Sequence, residues 1–215
     1  MLALVHQEPT DVDFRLKELG LQQEHLRESV MQGMLLRSEC TSNDPPLFPG
    51  YSAWARTVRT LREKLIPLNW NRNDDGGYSL CVNPDSTLAI AVATGDENTG
   101  NPREMPLTKS PKGPRTQLAI EINQHQSPLF DDLPDIGISD LPNSDRTTWV
   151  LLQHYDQGRK EVRFELSLPM NYSGKIDGWS ERIIFGAVPF DQSLSIPVPM
   201  LPNLPDIDVP LRRRS

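Results

Sequence analysis

The spacing of apolar residues changes several times along the chain, and these changes predict where helices and strands lie. Apolar side chains recur every three or four residues over 10–37, which predicts two helices separated by a turn at Gly20. A further helix is predicted over 52–66, with Ser52 as its N-cap and Pro67 at its end. Its narrow apolar stripe, which should pack on a sheet, consists of Trp54, Val58, Leu61 and Leu65.

Shorter segments with a period of two predict strands. Residues 78–82 and 87–94 flank the turn sequence 83–86, which favours a β-hairpin. Large and small side chains alternate over 87–94, so we expect one bulky face and one closely approached face. The clearest hairpin pairs 147–155 with 161–168.

The second strand of that hairpin predicts one buried face and one face in water. The residues expected inside are Val162, Phe164, Leu166 and Leu168. Those expected in solvent are Glu161, Arg163, Glu165 and Ser167. A further strand is predicted over 179–188.

Proline, glycine and polar residues fill the segments between these elements. Residues 38–50 are interpreted as a loop, 95–116 as a 22-residue loop that is functional or disordered, and 124–145 as a surface crossing. The predicted fold class is therefore α+β, as a single domain over 1–190. Its N-terminal helices (10–66) pack on a mostly antiparallel β-sheet (within 78–190), with long Pro-rich loops and an extended Pro-rich C-terminal tail at 191–215.

Composition narrows the class of protein without assigning an activity. Proline contributes 20 of 215 residues, and the net charge is −7. The 13 glycines exclude a collagen, the prolines exclude a long coiled coil, and the two cysteines exclude a disulfide-rich mini-protein. No 18-residue apolar window exists, so no membrane association is expected. The apolar start is broken after four residues and the chain has two cysteines, so we expect a cytoplasmic protein with reduced thiols.

The tail carries the most specific binding signal. Pro199, Pro202 and Pro205 recur every third residue, which places them on one edge of a polyproline II helix. Such a backbone is preset for binding. The predicted partner-binding residues are Pro199, Met200, Leu201, Pro202, Leu204, Pro205, Arg212, Arg213 and Arg214. Two alternatives for the tail are packing across its own domain and self-association.

A local basic face is the alternative interaction site. Residues 100–116 carry a net charge of +3 within an acidic chain, and the helix over 52–66 adds three arginines. A nucleic-acid-binding face would use Arg56, Arg59, Arg62, Lys109, Lys112 and Arg115. A helix-turn-helix at residues 10–37 is disfavoured, because residues 1–49 have eight acidic and four basic side chains.

A metal-dependent nuclease is the enzymatic alternative. Phosphodiester hydrolysis needs carboxylates that converge on a divalent ion. The candidates are Asp85, Asp96, Glu97 and Glu121, with Lys109 or Lys112 as a cation. The Glu-x-Lys pattern of PD-(D/E)XK nucleases is incomplete, because Asn123 stands where the lysine belongs.

No other pattern indicates chemistry: the four histidines have no zinc spacing, and we predict no catalytic residue, metal or cofactor. The leading hypothesis is a non-enzymatic protein-protein interaction module. It would be an accessory, adaptor or inhibitor subunit that binds a protein partner or a second copy through its tail and long loops.

Overall fold

The computed structural model describes residues 3–127 and 145–190, and it has the predicted α+β architecture. The helices in these ranges are α1 (Pro9–Glu18), α2 (Gln23–Ser38), α3 (Phe48–Leu65) and α4 (Pro114–His125). The strands are β1 (Leu4–His6), β2 (Asn71–Asn73), β3 (Leu80–Val82), β4 (Leu88–Thr94), β5 (Thr147–Asp156), β6 (Glu161–Tyr172), β7 (Ile176–Ile184) and β8 (Val188–Pro189).

All eight strands belong to one mostly antiparallel sheet. Its order is β1-β7-β6-β5-β4-β3-β2, and β8 pairs with β6. Both predicted hairpins, β3–β4 and β5–β6, are confirmed. Only β1–β7 and β4–β5 are parallel. The edge strands β1 and β2 are three residues long, too short for an alternating pattern to reveal them.

The N-terminal helices cover one face of the sheet, as expected. Their core includes Leu26 and Val30 of α2 and Leu61 and Leu65 of α3, all fully buried. The alternation in β4 is also confirmed. Its large side chains, such as Ile90, join this core, whereas its alanines belong to clusters on the opposite face.

Helix α4 lies on that opposite face and was not predicted as a helix. Asn123 fixes it to the sheet where Pro169, which has no N–H, interrupts the β5–β6 ladder. The Asn123 amide donates to the carbonyls of Thr148 (2.9 Å) and Pro169 (3.0 Å). The Thr148 N–H in turn donates to Asn123 Oδ1 (2.8 Å). One buried amide therefore satisfies the backbone groups that the proline leaves unpaired.

Helix α3 begins four residues earlier than predicted, and this corrects the assignment of 38–50 as a loop. The pair Pro49-Gly50 indicated a break, but proline is tolerated in the first turn because its N–H would have no helical partner. Ser52 is not the N-cap; it is buried within α3, where its hydroxyl donates to the Pro49 carbonyl (3.3 Å).

Glu165 and Ser167 were predicted in solvent, and this was wrong because both are fully buried. The segment between β4 and α4 covers their face of the sheet. Arg182 of β7 pairs with Glu165 (2.6 Å) and donates to the carbonyls of Asn101 (3.1 Å) and Glu104 (2.9 Å). The long loop predicted over 95–116 is thus fastened to the sheet by a buried ion pair, and its last residues form the start of α4.

Candidate functional site

The apolar stripe of α3 extends beyond the part that packs on the sheet. Val58, Leu61 and Leu65 are buried, but the same side of the helix continues toward its N-terminus into exposed residues. Leu47 is 86%, Phe48 44% and Tyr51 63% exposed. We call these three residues the α3 apolar end. Its signal was present in the sequence, since Tyr51 and Leu47 precede Trp54 by three and seven residues.

Trp54 joins the α3 apolar end to the sheet. Its ring lies 5.7 Å from that of Tyr51, and its indole N–H donates to the Val92 carbonyl (3.0 Å). Carbonyls of alternate residues in a strand point to the same side. The Leu88 carbonyl accepts from the Asn83 N–H on the β3 side, so the Val92 carbonyl, four residues later, faces the β3 side too. Because β3 begins opposite Ala91, Val92 has no partner in β3, and the indole supplies a donor instead.

A cavity of about 180 Å³ opens where the chain leading into β3 diverges from β4. We call it the Lys112 cavity. Its lining residues are Trp54, Gly77, Tyr78, Ser79, Ala91, Val92, Ala93, Lys112, Thr116, Val150 and Ile176. The ionisable side chains among them are Lys112 and Tyr78, so the cavity combines one basic group with a mostly apolar wall.

Backbone contacts hold Lys112 at this position. Its N–H donates to the Gly174 carbonyl (2.9 Å), and its carbonyl accepts from the Tyr172 hydroxyl (2.6 Å). Burial lowers the pKa of the Lys112 ammonium. Burial also raises the pKa of Tyr78 to about 12, although the neighbouring Thr116 hydroxyl acts in the opposite direction. Tyr78 is therefore neutral at pH 7, and Lys112 is half-buried without an anionic partner in the described ranges.

The three arginines of the proposed basic face that lie on α3 already contact neighbouring side chains. Their partners are Gln32 for Arg56, Glu63 for Arg59 and Asp74 for Arg62, at 3.2, 2.8 and 2.7 Å. Arg62 also lies near the carbonyls of residues 73 and 80, which ties it to β2 and β3. The carboxylates beside Arg59 and Arg62 leave less of the charge of these two arginines available to phosphates.

The other three basic residues lie outside α3, although Arg115 reaches the same turn (74–77) that Arg62 contacts through Asp74. Arg115 starts α4, on the opposite face of the sheet from α3, and its guanidinium packs against Gly76. Lys109 is exposed just beyond the end of β4, and Lys112 lines the cavity. The structure therefore does not bring the six predicted residues together on one face.

The four carboxylates of the nuclease hypothesis are also apart. Asp85 lies in the β3–β4 turn, whereas Asp96 and Glu97 follow the other end of β4. Glu121 lies on α4, where it accepts from Gln117 (2.9 Å). Within residues 3–127 and 145–190, no group of three or more histidine, cysteine or acidic side chains is placed to hold a metal ion.

Other candidates from the sequence have structural roles or lie elsewhere. Ser29, which a DNA-reading helix would have exposed, is buried and donates to the His25 carbonyl (2.7 Å). Cys40 and Cys81 are free thiols, and burial raises the pKa of Cys81 to about 11. The predicted tail residues 199–214 and the crossing at 128–144 lie outside the described residues.

Comparison with known proteins gives no relative. No family model, no curated protein and no solved structure matches the chain. In the part of the chain that the structure describes, no helix has the length and apolar character needed to cross a membrane. The candidate sites are therefore the surfaces and the cavity of the molecule itself.

Proposed function

We propose that this protein is a non-enzymatic protein-protein interaction module, a cytoplasmic accessory, adaptor or inhibitor subunit of a larger assembly. The α3 apolar end and the Pro-rich tail form its binding surface. The observation that carries this proposal is the exposure of Leu47, Phe48 and Tyr51 side by side on one helix end. Isolated apolar side chains are common on protein surfaces, but contiguous ones mark binding sites.

The α3 apolar end has the properties of an interface centre. Tyrosine and phenylalanine are enriched at interfaces, and tyrosine is also prominent among the few residues that dominate binding energy. Its backbone is helical, and Trp54 holds the next turn against β4. Little backbone entropy is therefore lost when a partner covers these side chains.

The tail begins at the same end of the sheet. The Phe190 N–H donates to the Lys160 carbonyl (2.8 Å) in the β5–β6 turn. The C-terminal part of α2 lies at that end too, because Arg37 stacks over Tyr155 of β5 (5.2 Å). The first turns of α3 lie beside the C-terminal part of α2, because the Cys40 thiol that follows α2 contacts the Ser52 hydroxyl of α3 (3.7 Å). One partner can thus contact both the α3 apolar end and Phe190, the last described residue before the tail.

Affinity capture from the native host tests this proposal. The baits are the wild-type chain, the double variant Leu47→Asp/Tyr51→Asp, and a chain lacking residues 193–215. Phe14→Asp is the matched control, because Phe14 is 64% exposed on α1, which packs near the opposite sheet edge. We expect one set of proteins to be captured by the wild type and the control and lost with the other two baits.

Thermal unfolding curves of all four chains accompany the capture. Unchanged curves for the double variant and the deletion would show that lost capture reflects a lost surface. Capture that persists in both altered chains would overturn the proposal. A deletion that unfolds the domain would make the tail a structural strap and leave α3 as the whole binding surface.

A further inference from the structure

We propose that the Lys112 cavity is a binding site for a small organic carboxylate that carries an apolar group. This site is separate from the protein interface proposed above, although Trp54 borders both. It requires no partner protein and no contribution from the tail. Three features of the cavity support the site: the polar side chains that already have partners, the character of the walls, and the local charge.

Lys112 is the polar side chain of the cavity that lacks a partner. The Trp54 indole donates to the Val92 carbonyl, and the Ser79 hydroxyl donates to Asp74 (2.8 Å). The hydroxyls of Tyr78 and Thr116 interact with each other. Within the described ranges, no hydrogen bond or ion pair occupies the Lys112 ammonium. Among the side chains that line the cavity, a ligand therefore meets one without a partner, and it is a cation.

The other wall residues of the cavity determine the chemical character and the size of the ligand beyond its carboxylate. They consist of small or branched apolar side chains from the sheet, with the rings of Trp54 and Tyr78 at the sides. A volume of about 180 Å³ corresponds to about six water molecules, which limits the ligand to the size of one ring or a short branched chain. A fully polar anion such as sulfate would leave most of its oxygens facing carbon.

The local charge favours an anion. No acidic side chain lines the cavity. Asp74, which accepts from the Ser79 hydroxyl, is also bound by Arg62. Lys112 also lies two residues before α4, whose twelve residues direct their positive end toward the same region. Burial of the ammonium without a counter-ion is unfavourable, and a bound carboxylate would remove that cost.

Titration calorimetry with sodium benzoate tests the site, using the full chain. Benzoate supplies a carboxylate and a flat ring that can lie against Trp54 and Tyr78. Benzamide has nearly the same shape without the charge, and sulfate has charge without the ring. We expect saturable 1:1 binding of benzoate, at least tenfold tighter than that of benzamide or sulfate.

Two lysine variants localise the binding. Lys112→Met should weaken benzoate binding at least tenfold, whereas Lys109→Met, three residues away on the exposed surface, should bind as the wild type does. Lys112→Gln replaces the methionine variant if that chain fails to fold. Absent saturable binding, equal binding of benzamide, or undiminished binding by the folded Lys112 variant would each overturn the proposal. Because no partner protein is present, the result is independent of the capture experiment.

Discussion

Gly33 sets the distance between the two helices that contact each other most closely. A Cβ atom at this position would lie 2.1 Å from Thr57 Oγ1 and 2.7 Å from the Ala53 carbonyl oxygen of α3. The clash includes backbone, which cannot rotate away. Thr57 Oγ1 in turn lies within hydrogen-bond distance of the Ala53 carbonyl (2.9 Å) and of Gln153 Oε1 of β5 (3.1 Å), so the hydroxyl is held from both sides and cannot move away.

Gly33→Ala should therefore lower the free energy of unfolding by about 2 kcal/mol, because overpacking outweighs the gain in helix propensity. Gly50→Ala is the matched control, since a Cβ there meets nothing within 4 Å. The control should raise stability by about 0.5–1 kcal/mol. Urea unfolding of both variants measures the difference. Equal stability of Gly33→Ala and the wild type would contradict the close approach of α2 and α3.

Single residues also show where sequence reasoning fails. The alternation in β6 correctly placed Phe164 and Leu166 in the core. It placed Glu165 in solvent, because the pattern contains no information about a distant segment that covers the other face. The partner of Glu165, Arg182, is seventeen residues away and reaches it only through the β6–β7 register. A strand pattern therefore predicts which face is apolar, but not whether the polar face is covered.

At the scale of elements, the buried Arg182–Glu165 pair fastens the segment between β4 and α4. The two side chains are 2% and 0% exposed. The Gly100 N–H donates to Glu165 (2.8 Å), and Trp179 adds a hydrogen bond to the Pro106 carbonyl (2.8 Å). Lys112 belongs to this segment, between β4 and α4. The contacts that fix the segment therefore also help to position Lys112 at the cavity.

Arg182→Met should cost about 3–5 kcal/mol of stability, because it leaves Glu165 buried and uncompensated. Amide hydrogen exchange should accelerate at residues 100–104 before it does in the sheet. Arg59→Met, which removes the exposed pair with Glu63, is the control and should change neither measurement appreciably. Uniform acceleration across the whole sheet would mean that the pair stabilises the fold globally rather than this segment.

A helix could be predicted from the sequence where its apolar residues lie on one face. Helix α3 has such a stripe, and only its first turn was missed because Pro49 suggested a break. Helix α4 has no clear stripe: Leu118 and Ile122 share one side, Ile120 lies on another, and the residue that anchors the helix, Asn123, is polar. Its helical state depends on packing against the sheet, which a local pattern does not reveal.

At the scale of the whole molecule, the layered fold followed from the sequence, but the candidate sites did not. Two hairpins and an N-terminal helical layer have strong local signals. The α3 apolar end and the Lys112 cavity arise where elements stop: α3 extends past the sheet, and β3 begins opposite Ala91, three residues short of the end of β4. Such edges depend on the relative lengths of neighbouring elements. The six basic residues of the predicted nucleic-acid-binding face depend on the fold in the same way. They are grouped in the sequence, but the structure does not place all of them on one face.

The central claim is that this molecule binds another protein through the α3 apolar end. The most direct test is calorimetric titration of a purified partner from the capture experiment into the wild type and the Leu47→Asp/Tyr51→Asp variant. We expect at least tenfold weaker binding by the variant, with an unchanged melting temperature, because buried aspartates replace the apolar centre of the interface. Equal affinities for the two proteins would contradict the claim.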